Sequence, residues 1–110
     1  MNWKCGVCNL IWNGDAPPET CPKCASPGDK YAELTDEQWA LIERARLTND
    51  LYMRLLAMIP EIEEIADRGV DDNLDPWCRA LHERIREDAR FWKKSILAEI
   101  NGHVNRGKWG

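Results

Sequence analysis

The chain contains no long run of apolar residues. Among its 110 residues, no stretch approaches the roughly 18 to 20 apolar residues that a membrane-spanning helix requires. Residues 1–8 also lack the apolar segment of a secretory signal peptide. We therefore expect no membrane association and a cytoplasmic location. Because cytoplasmic cysteines stay reduced, the paired cysteines of this chain are interpreted as metal ligands before disulfides.

Positive charge is also in short supply. Fifteen Lys and Arg residues stand against nineteen Asp and Glu residues, which gives a formal net charge of −4. Nucleic acid is therefore not an expected partner, and neither is an anionic membrane. The sequence has no phosphate-binding loop, dinucleotide fingerprint or nucleophile triad. Without a catalytic constellation, the chain is interpreted as a carrier or binding protein more readily than as an enzyme.

Residues 1–34 have too few apolar residues to bury a core, and they are rich in Gly, Pro and Asn. Such a segment needs a covalent or metal staple. Two Cys-x-x-Cys pairs separated by twelve residues supply one, because each pair forms a tight knuckle that aims two sulfurs at one point. Independent redox dithiols would need a βαβ context, which this segment lacks. The predicted metal ligands are Cys5, Cys8, Cys21 and Cys24.

A tetrahedral set of four sulfurs suits zinc or iron, and the spacing alone does not separate the two. The flanking residues carry a further signal. An aromatic residue stands two positions before the first cysteine, a Pro and a Glu precede Cys-Pro-x-Cys, and the segment ends in Pro-x-Asp-Lys-aromatic; these are Trp3, Pro18, Glu19, Pro22, Pro27, Asp29, Lys30 and Tyr31. Residues 2–34 therefore resemble rubredoxin, in the short form attached to rubrerythrins. Residues 35–110 resemble no family.

The resemblance implies one iron per chain, cycling between Fe3+ and Fe2+ on the four cysteines and exchanging electrons with a redox partner protein. It assigns Trp3, Trp12 and Tyr31 to aromatic packing that limits water near the sulfurs. The family places Gly after the second cysteine of each knuckle, where this chain has Asn9 and Ala25. That departure keeps an alternative open, namely a structural zinc ribbon in an adaptor whose helices mediate protein–protein interaction.

From residue 35 onward the pattern becomes helical. Thr35 to Gln38 form a capping box, and an apolar stripe then favours a helix over about 36–68 with a break at Pro60 and an end near Gly69. Asp75 and Pro76 predict a second start, followed by a helix over about 76–104. The expected fold is a small metal-knuckle β-ribbon domain, residues 1–34, followed by an all-α antiparallel helical hairpin, residues 35–110.

A lone hairpin leaves much of its apolar stripe in water. We therefore expect a homodimer that closes a four-helix bundle, with a monomer of three packed helical pieces as the alternative. Trp39, Trp77 and Trp92 are assigned to the core or to the dimer interface. Residues 105–110 are predicted to fray, which leaves Trp109 without a role.

Rubrerythrins join this domain to a bundle with two irons, which requires Glu-x-x-His motifs. None occurs here. Glu61 with Glu64, and Glu99 with His103, share a helical face and leave a second metal site open. We interpret Glu99 as a surface acid and His103 as a residue near a helix C-terminus. A reduced peroxidase, with more than one iron per chain, is a third hypothesis.

Two further residues of the second helix were assigned structural roles. Cys78 lies in its first turn, where a thiolate would be stabilised, and is predicted to be a buried structural cysteine. His82 is predicted to lie on the helix face or rim rather than to bind a metal.

Overall fold

A small antiparallel sheet opens the chain. The computed structural model describes residues 1–110 and contains three short strands: β1 (Asn2–Cys5), β2 (Ile11–Asn13) and β3 (Tyr31–Glu33). Strand β1 lies between the other two and pairs antiparallel with both. One turn of 3-10 helix, Gly28–Lys30, leads into β3. The expected β-ribbon is confirmed, and its register places Cys5 opposite Tyr31.

Two long helices follow, α1 (Asp36–Asp72) and α2 (Pro76–Asn105), and they form the expected hairpin. The capping box is present, since the Thr35 N–H donates to Gln38 Oε1 at 2.8 Å and the Gln38 N–H donates to Thr35 Oγ1 at 3.1 Å. Neither helix is long and apolar enough to cross a membrane.

The chain divides into two compact units, residues 1–46 with 106–110 and residues 47–105.

The structure corrects the predicted break at Pro60, because α1 runs unbroken through this residue. Proline removes one N–H donor and leaves the carbonyl four residues earlier without its helical partner. Pro60 lies on the exposed side of the helix, where water can take that hydrogen bond, while its neighbour Ile59 is buried. The helix therefore continues through Pro60, because the opposite, buried face that includes Ile59 is held by packing.

The predicted end of α1 near Gly69 is also wrong. The helix continues to Asp72 and ends where Asn73 takes a left-handed conformation, with φ of 45° and its N–H bonded to the Gly69 carbonyl at 3.2 Å. Gly69 serves close packing instead. A Cβ at this position would lie 2.1 Å from the ring of His82, so only glycine leaves room for that ring.

Three side-chain pairs fix the register of the hairpin within residues 47–105. Asn49 contacts His103 at 2.6 Å, Glu63 approaches Arg90 at 3.9 Å, and Asp67 binds Arg86 at 2.9 Å. Their positions rise along α1 as they fall along α2, as antiparallel helices require. The apolar interior of this unit is small and consists of four buried residues, Ile59, Ala66, Val70 and Ala89.

Residues 106–110 are not frayed as predicted, because they belong to the N-terminal compact unit. Gly107 has a φ of 72° and follows the end of α2. The Arg46 Nε–H donates to the Gly110 carbonyl at 3.1 Å, and Gly110 packs against Ile11 and Ile42. Trp109 is half-buried in the same unit. Packing, rather than helical periodicity, therefore orders this segment.

Asp75 caps the start of α2. Its Oδ1 accepts the Cys78 N–H at 2.8 Å, and its Oδ2 accepts the Cys78 thiol at 3.4 Å. The Cys78 hydrogen bonds lower the pKa of the Asp75 carboxyl and raise the pKa of the Cys78 thiol. The expectation that the helix start stabilises a thiolate at Cys78 is corrected, because the adjacent carboxylate opposes it. Cys78 is half-buried rather than buried.

We predict that Asp75→Ala lowers the melting temperature at pH 7 by roughly 5 °C, the usual effect of losing a helix N-cap. The folded pKa of Asp75 lies below the ordinary value of 3.8, so its stabilisation is present above that pH and is lost as the pH falls through the folded pKa. The difference between wild type and variant should therefore shrink in acid. Thermal melts by circular dichroism between pH 7 and pH 2.5 measure it.

Asp75→Asn is the matched control, because it keeps an oxygen that accepts the Cys78 N–H but carries no charge. It should lose less stability than Asp75→Ala, and its melting temperature should approach that of the wild type in acid. Equal losses in both variants at every pH would contradict the role given to the Asp75 carboxylate.

Candidate metal centre

Two backbone knuckles of the same construction hold the four cysteines. In each knuckle, the N–H of the first cysteine donates to the carbonyl of the residue five positions later. The N–H of the residue four positions later donates to the carbonyl of that first cysteine. The distances are 2.9 and 3.0 Å around Cys5, and 2.8 and 2.9 Å around Cys21. The two Cys-x-x-Cys pairs are thus presented by equivalent loops.

The residue after each knuckle adopts a left-handed backbone, as the family pattern implied. The φ angle is 65° at Asn9 and 63° at Ala25. Asparagine tolerates this conformation fairly well, whereas a Cβ on alanine costs on the order of 1–2 kcal/mol there. The second knuckle therefore carries more backbone strain than the first.

The knuckles bring the four predicted ligands together. The sulfur of Cys5 lies 3.8 Å from that of Cys24, and the sulfur of Cys8 lies 3.7 Å from that of Cys21. All four sulfurs fall within 4.8 Å of one another. Four sulfurs placed about 2.3 Å from a central ion are separated by about 3.8 Å, so this geometry fits a tetrahedral metal ion.

Hydroxyl groups contact two of the four sulfurs, and sequence reasoning missed both contacts. The Tyr31 hydroxyl donates to Cys21 Sγ at 3.2 Å, and Ser26 Oγ lies 3.0 Å from Cys24 Sγ. The resemblance implies a packing role for Tyr31 and does not indicate this hydrogen bond. The sequence signal for Ser26 is its place two residues after the last cysteine, within reach of the sulfur.

The thiols have unequal acidities. Burial would raise the pKa of Cys21, but hydrogen bonds from the Tyr31 hydroxyl and from backbone N–H groups outweigh it and lower the pKa to about 6. Hydrogen bonds from Ser26 likewise lower the pKa of Cys24. At Cys8 the backbone N–H of Leu10 favours the thiolate, yet burial and the neighbouring sulfurs raise the pKa to about 11. A bound cation would relieve the electrostatic repulsion between neighbouring thiolates. Its binding would therefore release protons from the thiols.

Aromatic residues pack around the buried side of the cluster. Trp3 and Trp12 contact the core formed by Cys5, Cys21 and Tyr31, as the resemblance implied. The Trp3 indole N–H donates to the Gly14 carbonyl at 3.0 Å, which fixes the orientation of its ring. Water is thereby limited on this side of the sulfurs.

The other side of the cluster is open. Cys8 and Cys24 are half-buried, and Val7 between the first pair is 61% exposed. A shallow cavity of about 440 Å³ adjoins Cys8 and is lined in part by Lys23 and Trp109. The cluster is therefore accessible from solvent at this edge.

The remaining candidate ligands do not assemble a second site. His103 is buried, with Nδ1 2.6 Å from Asn49 Oδ1 and Nε2 3.3 Å from Glu99 Oε1, so both ring nitrogens have protein partners. Glu61 and Glu64 join no cluster of three candidate ligands. The His82 Nδ1 lies 2.8 Å from the Cys78 carbonyl. The four-cysteine cluster is the one group in the chain whose side chains converge as metal ligands.

Residues 3–32 match the family model described as rubrerythrin, rubredoxin-like domain. The N-terminal segment is a rubredoxin-like domain. Reverse rubrerythrin-1 of Clostridium acetobutylicum is 46% identical over 35 residues, which is 32% of this chain and 19% of that protein. The chain thus matches about a fifth of that relative's length. No solved structure matches the chain. The resemblance is confirmed for this domain, and neither match extends over the helices.

We predict that Ala25→Gly stabilises the rubredoxin-like domain by about 0.5–1 kcal/mol, because glycine removes the left-handed strain and returns only part of it as unfolded-state entropy. Asn9→Gly is the matched control at the equivalent position of the other knuckle and should give a smaller gain. Denaturant unfolding of the metal-loaded protein measures both. A loss of stability in Ala25→Gly would contradict the strain assigned to this residue.

Proposed function

We propose that this chain is an electron carrier that binds one iron ion through Cys5, Cys8, Cys21 and Cys24 and exchanges single electrons with a redox partner protein in the cytoplasm. Bound iron supplies a one-electron Fe3+/Fe2+ couple at such a site. The proposal depends above all on the hydrogen bonds that the cluster receives at its sulfurs. A rubredoxin-like domain with this sulfur geometry supports it.

Hydrogen bonds to sulfur matter for a redox centre because they favour the state with more negative charge on the ligands. The Tyr31 and Ser26 hydroxyls bind at Cys21 and Cys24, and backbone N–H groups add to them. These donors stabilise the reduced form and raise the reduction potential. A purely structural site needs the four ligands but has no use for a tuned potential.

Burial divides the cluster into an insulated and an accessible half. Cys5 and Cys21 are buried beneath the aromatic residues, whereas Cys8 and Cys24 are half-buried at the open edge. We place the redox partner at that edge. Lys23 and Arg46 line the adjoining cavity, so a partner with acidic side chains around its own redox centre would be steered to it.

A structural zinc ribbon in an adaptor protein is the second candidate. Zinc accepts the same tetrahedral set of sulfurs. The observation that favours it is the apolar surface on the helical hairpin, since an adaptor needs a surface for another protein. In that case the hydrogen bonds at the sulfurs would only stabilise the thiolates.

We predict that protein isolated from its native source, or from iron-replete cells, is red, contains one iron per chain and loses its colour with dithionite. Elemental analysis and visible spectroscopy measure this. Cys8→Ser should weaken metal binding and change the spectrum. Cys78→Ser, which lies outside the cluster, should leave both unchanged. Native protein that contains only zinc would contradict the electron-carrier proposal, and more than one iron per chain would favour the peroxidase hypothesis.

We predict that Tyr31→Phe lowers the reduction potential of the iron-loaded protein by roughly 20–60 mV, the equivalent of a hydrogen bond worth about 0.5–1.5 kcal/mol. The variant keeps the ring and removes only the donor to Cys21. Tyr52→Phe makes the same chemical change in the hairpin, against His103, and should leave the potential unchanged. Spectroelectrochemical titration measures all three proteins. An unchanged potential in Tyr31→Phe would contradict the tuning role.

A further inference from the structure

The helical hairpin leaves many large apolar side chains exposed. Trp77 is 85% exposed, Phe91 is 66% exposed and Met58 is 58% exposed. Trp77 and Trp92 therefore do not belong to a core within one chain, although the sequence assigned them to a core or an interface. Isolated exposed apolar residues are ordinary on proteins, but a contiguous set of them marks an interaction surface.

Helical spacing places these residues on one side of the hairpin. On α1 the residues recur in steps of four and three, and on α2 in steps of mostly four, so each set forms a stripe along its helix. We call the two stripes together the open face. It comprises Leu51, Leu55, Met58, Ile62 and Ile65 on α1, and Trp77, Leu81, Ile85 and Trp92 on α2.

A groove of about 490 Å³ runs between the two stripes. Its lining includes Ile59, Phe91 and Ile96, and Ser95 is its one polar residue. No charged side chain lines it. Helical spacing places Arg84 and Asp88 within the α2 stripe, between Leu81 and Trp92, and these opposite charges pair with each other, because Arg84 Nε lies 3.1 and 3.2 Å from the two carboxylate oxygens of Asp88. Two copies of this groove can therefore face each other without burying like charges.

The exposed area suits a stable dimer. The exposed fractions of Trp77 and Trp92 in the open face and of Phe91 in the groove together equal about two whole aromatic side chains, or roughly 400 Å². The aliphatic residues of the open face add about three whole side chains, or roughly 300 Å² at about 100 Å² each. A standard stable interface buries about 800 Å² on each partner, including its polar rim.

We propose that the open face is the interface with a second copy of this chain. Two hairpins that pack face to face form a four-helix bundle around one two-fold axis, which covers the stripes and the groove of both copies at once. The alternating steps of four and three on α1 are those of a seam between packed helices. The core of this bundle is dry and apolar, and carboxylate or imidazole ligands are absent from the groove lining.

The test is the mass of the full-length chain in solution, in reducing buffer so that Cys78 cannot cross-link two copies. Sedimentation equilibrium from nanomolar to micromolar concentration should give twice the chain mass of 12.7 kDa at the upper end. Met58→Glu places a charge in the interface and should weaken dimerisation by at least about 100-fold. A wild-type chain that is monomeric at every concentration would overturn the proposal.

Met53→Glu is the matched control. Met53 is 53% exposed, close to the value for Met58, but it lies on another side of α1, outside the open face. This variant should remain a dimer, and circular dichroism should show full helicity in both variants. If Met58→Glu fails to fold, Trp77→Ser, at a side chain that is almost free of intrachain contacts, replaces it. Equal dissociation constants for the wild type and the folded interface variant would overturn the proposal. It would also be overturned if Met53→Glu weakened the dimer as much as the interface variant does.

Discussion

The convergence of four sulfur atoms is the constraint on which the N-terminal segment depends. The buried core of this segment consists of Cys5, Cys21 and Tyr31, so two of its three core residues are themselves proposed ligands. Without a cation, the same closeness that builds the tetrahedron makes adjacent thiols compete for protons, and Cys8 keeps its proton while Cys21 tends to lose its own. We therefore expect metal binding and folding to be coupled here, as in other small domains in which a metal replaces a hydrophobic core.

The hairpin, in contrast, has many large apolar side chains but buries few of them. Its helices are well started, by the Thr35 box and by Asp75, and its cross-helix pairs fix one register. Yet four small or medium apolar residues make up its buried interior, while its largest apolar side chains face outward. Caps and ion pairs at the surface contribute modestly to stability. These exposed side chains would add hydrophobic stabilisation if they were covered by the second copy of the chain that we propose.

Local rules gave the parts of this structure that depend on short spacing. The cysteine pairs, the capping box and the Asp75 cap each involve residues at most four apart, and the structure places them as expected. The errors arise where distant contacts decide. Pro60 does not interrupt α1, because packing beside it holds the helix, and Gly69 makes room for His82 rather than ending the helix. Residues 106–110 are ordered by contacts with residues more than sixty positions away.

The same limit explains why the sulfur hydrogen bonds escaped prediction. A tyrosine near a metal knuckle has the same sequence signature whether its ring packs or its hydroxyl donates. What decides is the strand register, which pairs Cys5 with Tyr31 and so fixes the tyrosine beside the cluster, within 3.2 Å of Cys21. Left-handed backbone at Asn9 and Ala25 closes each knuckle with an N–H to carbonyl hydrogen bond, and other backbone N–H groups of the knuckles bond to the sulfurs. The strained knuckle of Ala25 thus holds two sulfurs that accept hydrogen bonds from hydroxyl and backbone donors, and these donors favour negative charge on the sulfurs.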